Sequence, residues 1–231
     1  MIYDPKLFQK GKRFLAKDPK LKELFARHPQ LNFEPRQARS PFESLVRAIA
    51  HQQLHGKAAE TILGRMLALF PDQAFPTPED LLDLPEKKLR TCGFSQSKVR
   101  SIHDIALKTV EGIVPTSREI VKLPNQEIVD RLTEIHGVGR WTVEMLLIFQ
   151  LGRLDVWPVD DFGVRKGYQL WMRKREMPTA KDLKKVEKKF APYQTLVSLY
   201  LWREADRAKL KKEKVKAQPS GQKAMKAEGL I

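Results

Sequence analysis

Along residues 40 to 70, "SPFESLVRAIAHQQLHGKAAETILGRMLALF", the apolar positions Phe42, Leu45, Val46 and Ile49, then Ile62, Leu63 and Met66, recur every three or four residues. Side chains at that spacing share one face of an α-helix, so the pattern predicts amphipathic helices turned toward a core. Ser40, Pro41 and Glu43 supply a start signal: a capping hydroxyl, a first-turn proline and an acid placed to close a capping box. "TPEDLLDLPEKKLRTCGF" predicts two short helices broken at Pro85, the first capped by Thr77. "SQSKVRSIHDIALKTVEG" predicts an amphipathic helix ended by Gly112. "NQEIVDRLTEI" and "RWTVEMLLIFQLG" predict two more helices joined by "HGVG". Beyond "RLDVWPVDDFGVRKGYQLW" the helical pattern resumes in "TAKDLKKVEKKFAP" and "YQTLVSLYLWREADRAKL". No segment alternates apolar and polar residues over the length of a strand, so the expected class is all-α.

The length of 231 residues suffices for one large domain or two small lobes with a true core. Charge narrows the partner: 43 Lys and Arg against 28 Asp and Glu leave +15, which points to a polyanion, either nucleic acid or an acidic membrane surface. Residues 206–231 are expected to form a basic, disordered tail, and they hold eight of the basic and three of the acidic residues. About two-thirds of the net charge therefore belongs to residues 1–205. Cys92 is the only cysteine, which excludes a disulfide framework and any four-cysteine zinc or iron–sulfur site carried by this chain. No apolar run approaches the ~20 residues that span a bilayer, and "MIYDPKLFQKGKRFL" lacks a signal-peptide core. The expectation is a soluble intracellular protein with no membrane partner and no metal.

In "LTEIHGVGRWT", Gly137 and Gly139 allow a tight turn and a close approach by another surface. Amides at the following helix start favour an anion, with Arg140 beside them. Such a turn can also be a plain helix–helix connector. "PVDDFGV" places Asp160 and Asp161 at another helix start, where aspartate most often serves as a cap.

"LTEIHGVGRWTVEML" resembles the helix-hairpin-helix of the base-excision DNA glycosylase superfamily, although His136 stands where a proline is common. "DVWPVDDFGVRKG" resembles its catalytic-aspartate segment, "AIAHQQLHGKAAETI" its damage-probing segment, and "LRTCGFSQSKVRSIHDIA" its intervening helices. The resemblance covers about residues 40 to 205, nearest to the 3-methyladenine DNA glycosylase II branch. It implies a two-lobed helical bundle over 1–205, with one lobe at about 45–155 and the other of 1–44 plus 156–205. The active cleft would lie between them. It implies a monomer acting on double-stranded DNA with alkylated bases, such as 3-methyladenine, 7-methylguanine, ethenoadenine or hypoxanthine.

Residue by residue, the resemblance gives Asp161 the catalytic role, with Asp160 as neighbouring cap or hydrogen-bonding partner. A carboxylate there stabilises the positive charge that grows on the deoxyribose as the base leaves. Trp141 stands where the strand-cutting members carry a Schiff-base lysine, which implies a monofunctional, cofactor-free hydrolase. Trp141 and Trp202, with Phe162 and Tyr200, are the implied walls for a flipped, electron-poor base. Trp157 and Trp171 are assigned to the core. Gln53 is the implied wedge that fills the emptied stack, with His55 at the minor groove and His51 and Gln52 in support. Gly137, Val138, Gly139, Arg140, Lys57 and Lys98 are the expected backbone contacts. The alternatives are a non-catalytic helix-hairpin-helix DNA-binding protein, a bifunctional oxidised-base glycosylase/lyase and, setting the resemblance aside, a basic all-helical protein interaction module.

Overall fold

The computed structural model describes residues 4–35 and 39–217. It is all-α, with no strand among the described residues. The helices are α1 (Pro5–Leu15), α2 (Pro19–Ala26), α3 (Pro41–His51), α4 (Gly56–Leu67), α5 (Pro78–Asp83), α6 (Glu86–Cys92), α7 (Gln96–Val110), α8 (Ser117–Ile120), α9 (Asn125–Leu132), α10 (Arg140–Phe149), α11 (Phe162–Trp171), α12 (Ala180–Lys184) and α13 (Gln194–Ala217). No described helix is long and apolar enough to cross a membrane.

Local chemistry sets the boundaries. Thr77 and Asp80 close a reciprocal capping box at α5, and Pro85 separates α5 from α6. Gly112, at φ +77°, takes the left-handed turn after α7. At α3 the Ser40 hydroxyl accepts the Glu43 amide, as a cap should. The Glu43 carboxylate does not close the expected box; it accepts instead from Arg47 Nε at 2.8 Å, one turn on. An N3 acid can serve either partner, and here the i,i+4 arginine wins.

The described residues divide into two compact units, 4–9 with 32–35 and 39–156, and 10–31 with 157–217. In the first, α3 packs on α4, α7 and α10, α7 also meets α5 and α6, and α9 lies on α10. Leu45, Ile49, Leu63, Met66, Leu81, Ile102, Ile105, Leu132 and Val143 are buried in its core, each contributing about 1.5–3 kcal/mol on removal from water. Residues 4–9, 32–35 and 39–44, which the sequence reading grouped with 156–205, cluster in this first unit. Phe33 holds them there, with Phe8 and Phe149 at centroid distances of 6.2 and 6.1 Å.

In the second unit α11 and α2 pack on α13. Gly167 permits this approach, because a Cβ there would overlap the Leu201 carbonyl. Trp157 and Trp171 are buried and donate to the carbonyls of Leu183 and Lys20, at 3.0 and 3.2 Å. α13 continues to Ala217, into the stretch expected to be a disordered tail. Ala, Leu, Lys and Glu dominate that stretch and are strong helix formers, so charge alone did not decide its state. Residues 218–231 of the expected tail lie outside the described residues.

Candidate functional site

The hairpin between α9 and α10 belongs to the first unit. Gly137, at φ +77°, is pressed against α7: a Cβ would overlap Ser101 Oγ. Asp104 Oδ2 accepts the His136 amide at 2.6 Å, and the Gly137 carbonyl accepts Gln52 Nε2 at 3.1 Å. The turn is thus fastened from behind. Val138 is 3% exposed and its amide donates to the Ile135 carbonyl, so its side chain is core rather than the expected DNA contact. Gly139 is different from Gly137. Its φ of −89° suits any residue, and a Cβ there would meet nothing within 4 Å. The Gly139 and Arg140 amides have no acceptor among the described residues, as the first turn of a helix dictates. They stand at the positive end of the α10 dipole, where an anion is favoured, with open space beside Gly139. The Arg140 side chain is held by Glu144, a buried carboxylate at 3.0 Å.

The turn after α3 is built around Gln53, a non-glycine residue at φ +57°. That left-handed conformation costs about 1 kcal/mol or more, and the side chain is exposed. Lys98, expected to touch phosphate, instead turns inward. Its Nζ donates to the Ala50 and Gln52 carbonyls at 2.8 Å each, closing the end of α3, and burial pushes its pKa down. Gln52 therefore ties the Gln53 turn both to Lys98 and to the hairpin. His51 lies 3.1 Å from Glu60. Leu54, His55 and Lys57 are exposed at the start of α4, and the His55 side chain caps nothing. Trp141, in the first turn of α10, is 46% exposed.

α3, α4 and α10 also line a cavity of about 250 Å³, with Arg47, His51, Glu60, Met145, Phe149 and Gln150 in its wall. Gln150 donates to the Arg39 carbonyl at 2.6 Å, while its Oε1 is buried with no hydrogen-bond partner among the described residues. Nothing in the helical spacing signalled this acceptor.

The second unit holds the carboxylate. Asp161 is the N-cap of α11 and is 8% exposed; its Oδ1 accepts the Val164 amide and Trp202 Nε1, both at 2.7 Å. The positive end of the helix macrodipole favours the anion there. Asp160 is exposed, and the cap belongs to its neighbour, not to it. Phe162 is 67% exposed. Tyr200 is fully buried, with its ring 4.4 Å from Phe25 and its hydroxyl unpartnered among the described residues. It fills the core of this unit and cannot serve as the expected pocket wall.

Residues 46–192 match the family model of the HhH-GPD superfamily base excision DNA repair protein. The chain is 43% identical over 175 residues to DNA-3-methyladenine glycosylase 1 of Schizosaccharomyces pombe, covering 74% of this chain and 77% of that protein. It is 32% identical to the alkylbase DNA glycosidase-like protein mag2 of the same yeast, covering 80% and 87%. The solved structure of S. pombe 3-methyladenine DNA glycosylase in complex with abasic DNA superposes with a TM-score of 0.74 at 41% identity, covering 84% of this chain and 95% of that one. The family match spans the hairpin, the Gln53 turn and Asp161 in one collinear run, so the chain belongs to the HhH-GPD superfamily of base excision DNA repair proteins.

Proposed function

We infer that this chain is a monofunctional DNA glycosylase that extrudes alkylated purines from duplex DNA and hydrolyses their N-glycosidic bond, inside the cell. The observation that carries the reading is Asp161, a buried carboxylate fixed by two N–H donors at a helix start. In the reaction the bond between C1′ and the base nitrogen breaks and its electron pair leaves with the base. Positive charge develops on the sugar, Asp161 stabilises it, and water adds to C1′ while losing a proton. An N-alkylated purine that already carries a positive charge leaves as a neutral molecule, so no general acid is demanded for it. Trp141 at the Schiff-base position supports water rather than an amine as nucleophile.

The open amides at Gly139 and Arg140 are suited to hold a phosphate, and Gln53 to fill the vacated stack. Trp141, Trp202 and Phe162 each offer an aromatic surface suited to an electron-poor base. Chromatography of bases released from a methylated duplex tests the reading. Release of 3-methyladenine or 7-methylguanine, without borohydride trapping of the enzyme on DNA, is the expected result. Salt-sensitive binding without release would reduce the protein to a DNA-binding module, and efficient trapping would make it a lyase.

A further inference from the structure

The geometry points to Trp202 and Gly163 as a positioning pair that holds Asp161, the inferred catalytic carboxylate, through the indole N–H; this rests on the function just proposed. The family resemblance implies an aromatic wall for the base at Trp202. Its ring nitrogen instead donates to Asp161 Oδ1 at 2.7 Å. The same oxygen accepts the Val164 amide at 2.7 Å, from the third residue of α11. A carboxylate capping a helix with one backbone bond keeps rotational freedom about its χ2; a second donor from another helix removes it. Both bonds are charge-assisted, and they lie in a site with little access to water.

Gly163 makes this second bond sterically possible. A Cβ at that position would stand 2.5 Å from Trp202 Cδ1, 2.9 Å from Trp202 Nε1 and 3.1 Å from Asp161 Oδ1. It would sit on the hydrogen bond itself. Gly163 lies within the first turn of α11 at an ordinary negative φ, so no backbone conformation demands glycine there. Its missing side chain is explained by the indole. α11 and α13 can approach this closely because Gly167, four residues on, lets the Leu201 carbonyl against the helix on the same face. Two glycines one turn apart thus carry α13 close enough for Trp202 to reach the carboxylate.

An aromatic wall and a positioning donor make opposite forecasts. Trp202→Phe keeps an aromatic face and removes the N–H. Positioning predicts a loss of about tenfold to a hundredfold in the single-turnover rate of base release, the usual worth of a hydrogen bond to a charged group. Affinity for undamaged duplex should stay unchanged. Gly163→Ala should lower the rate similarly by displacing the indole, and that penalty should shrink in a Trp202→Ala background, where nothing remains to displace. The decisive arm is Asp161→Asn with and without Trp202→Phe. If Trp202 acts through Asp161, the second change adds little to the first. If Trp202→Phe lowers the residual rate by the same factor in both backgrounds, Trp202 does not act through Asp161, and the inference is overturned. It is equally overturned by a Trp202→Phe enzyme that works at the parental rate while Asp161→Asn is impaired. Should Asp161→Asn itself retain full activity, the failure lies in the catalytic assignment of Asp161 and not in the pairing alone. Circular dichroism and duplex binding, measured on every variant, separate these outcomes from misfolding.

Discussion

Gly137→Ala is the perturbation whose cost the hairpin geometry sets most directly. Gly137 sits at φ +77°, where an L side chain costs about 1–2 kcal/mol. The new Cβ would also overlap Ser101 Oγ and approach Ser101 Cβ at 3.2 Å, and Ser101 is itself packed inside the first unit. Forcing a methyl group into such a contact costs a further ~1–3 kcal/mol. The sum of about 2–5 kcal/mol lowers the melting temperature of a protein this size by roughly 5–20 °C. Gly139→Ala is the internal control. Its φ of −89° and the empty space around it predict no loss of stability beyond about 0.5 kcal/mol. The methyl group would instead occupy part of the open space at the start of α10, and should weaken binding to damaged and undamaged duplex alike by about tenfold, the worth of one or two hydrogen bonds. Thermal melts by circular dichroism and affinities by fluorescence anisotropy read both effects. Ser101→Gly added to Gly137→Ala should recover the steric share of the loss and leave the backbone share. A Gly137→Ala protein that melts with the parent, or a Gly139→Ala protein that melts as low as Gly137→Ala, would refute the division of labour between the two glycines.

Lys98→Met should destabilise the fold by about 1–3 kcal/mol, because it strands the Ala50 and Gln52 carbonyls. It should also slow base release from duplex by loosening the Gln53 turn; equal melting of parent and variant would contradict the capping role. Tyr200→Phe removes a buried, unpartnered hydroxyl and should leave stability equal or higher and base release unaltered; a specific loss of release would return Tyr200 to the pocket. Hydrogen bonding from the Thr179 hydroxyl holds the Asp182 carboxyl down to about 2 from its usual 3.8. A depressed carboxyl stabilises the fold above its unfolded value and loses that contribution as pH falls through the folded one, so capping of α12 should persist at pH 4 and be lost near pH 2. Carboxyl NMR titration checks the midpoint, and a value near 3.8 would contradict it.

Helix positions and caps were legible because their signals are local: Thr77 with Asp80, and Gly112 after α7, need no partner beyond a few residues. The Asp161 segment was legible as a helix start in "PVDDFGV", although periodicity could not choose between the two aspartates. Burial and the Val164 amide make the choice for the cap. Lys98 was misread because its acceptors lie 46 and 48 residues away, which no local pattern reveals. Tyr200 and Trp202 stand two residues apart on α13, yet one is buried and the other half-buried. α13 packs against both α2 and α11, so it has no single apolar stripe to rank them by. The spacing of Gly163 and Gly167 did carry a readable signal, a small-residue face one helical turn long. Its meaning depends on which helix lies against it.

The inferred chemistry stands or falls on Asp161→Asn compared with Asp160→Asn, measured as single-turnover base release from one methylated duplex with binding followed in parallel. Asparagine keeps an oxygen that can accept from the Val164 amide and the Trp202 indole, so folding and DNA affinity should survive. The negative charge facing the sugar cation is lost, and removal of a single electrostatic contributor of this kind costs a factor of roughly 100 or more. Asp160 is exposed and outside the cap, so Asp160→Asn should release base close to the parental rate. Near-normal release by Asp161→Asn, or its abolition by Asp160→Asn alone, would contradict the placement of the catalytic charge.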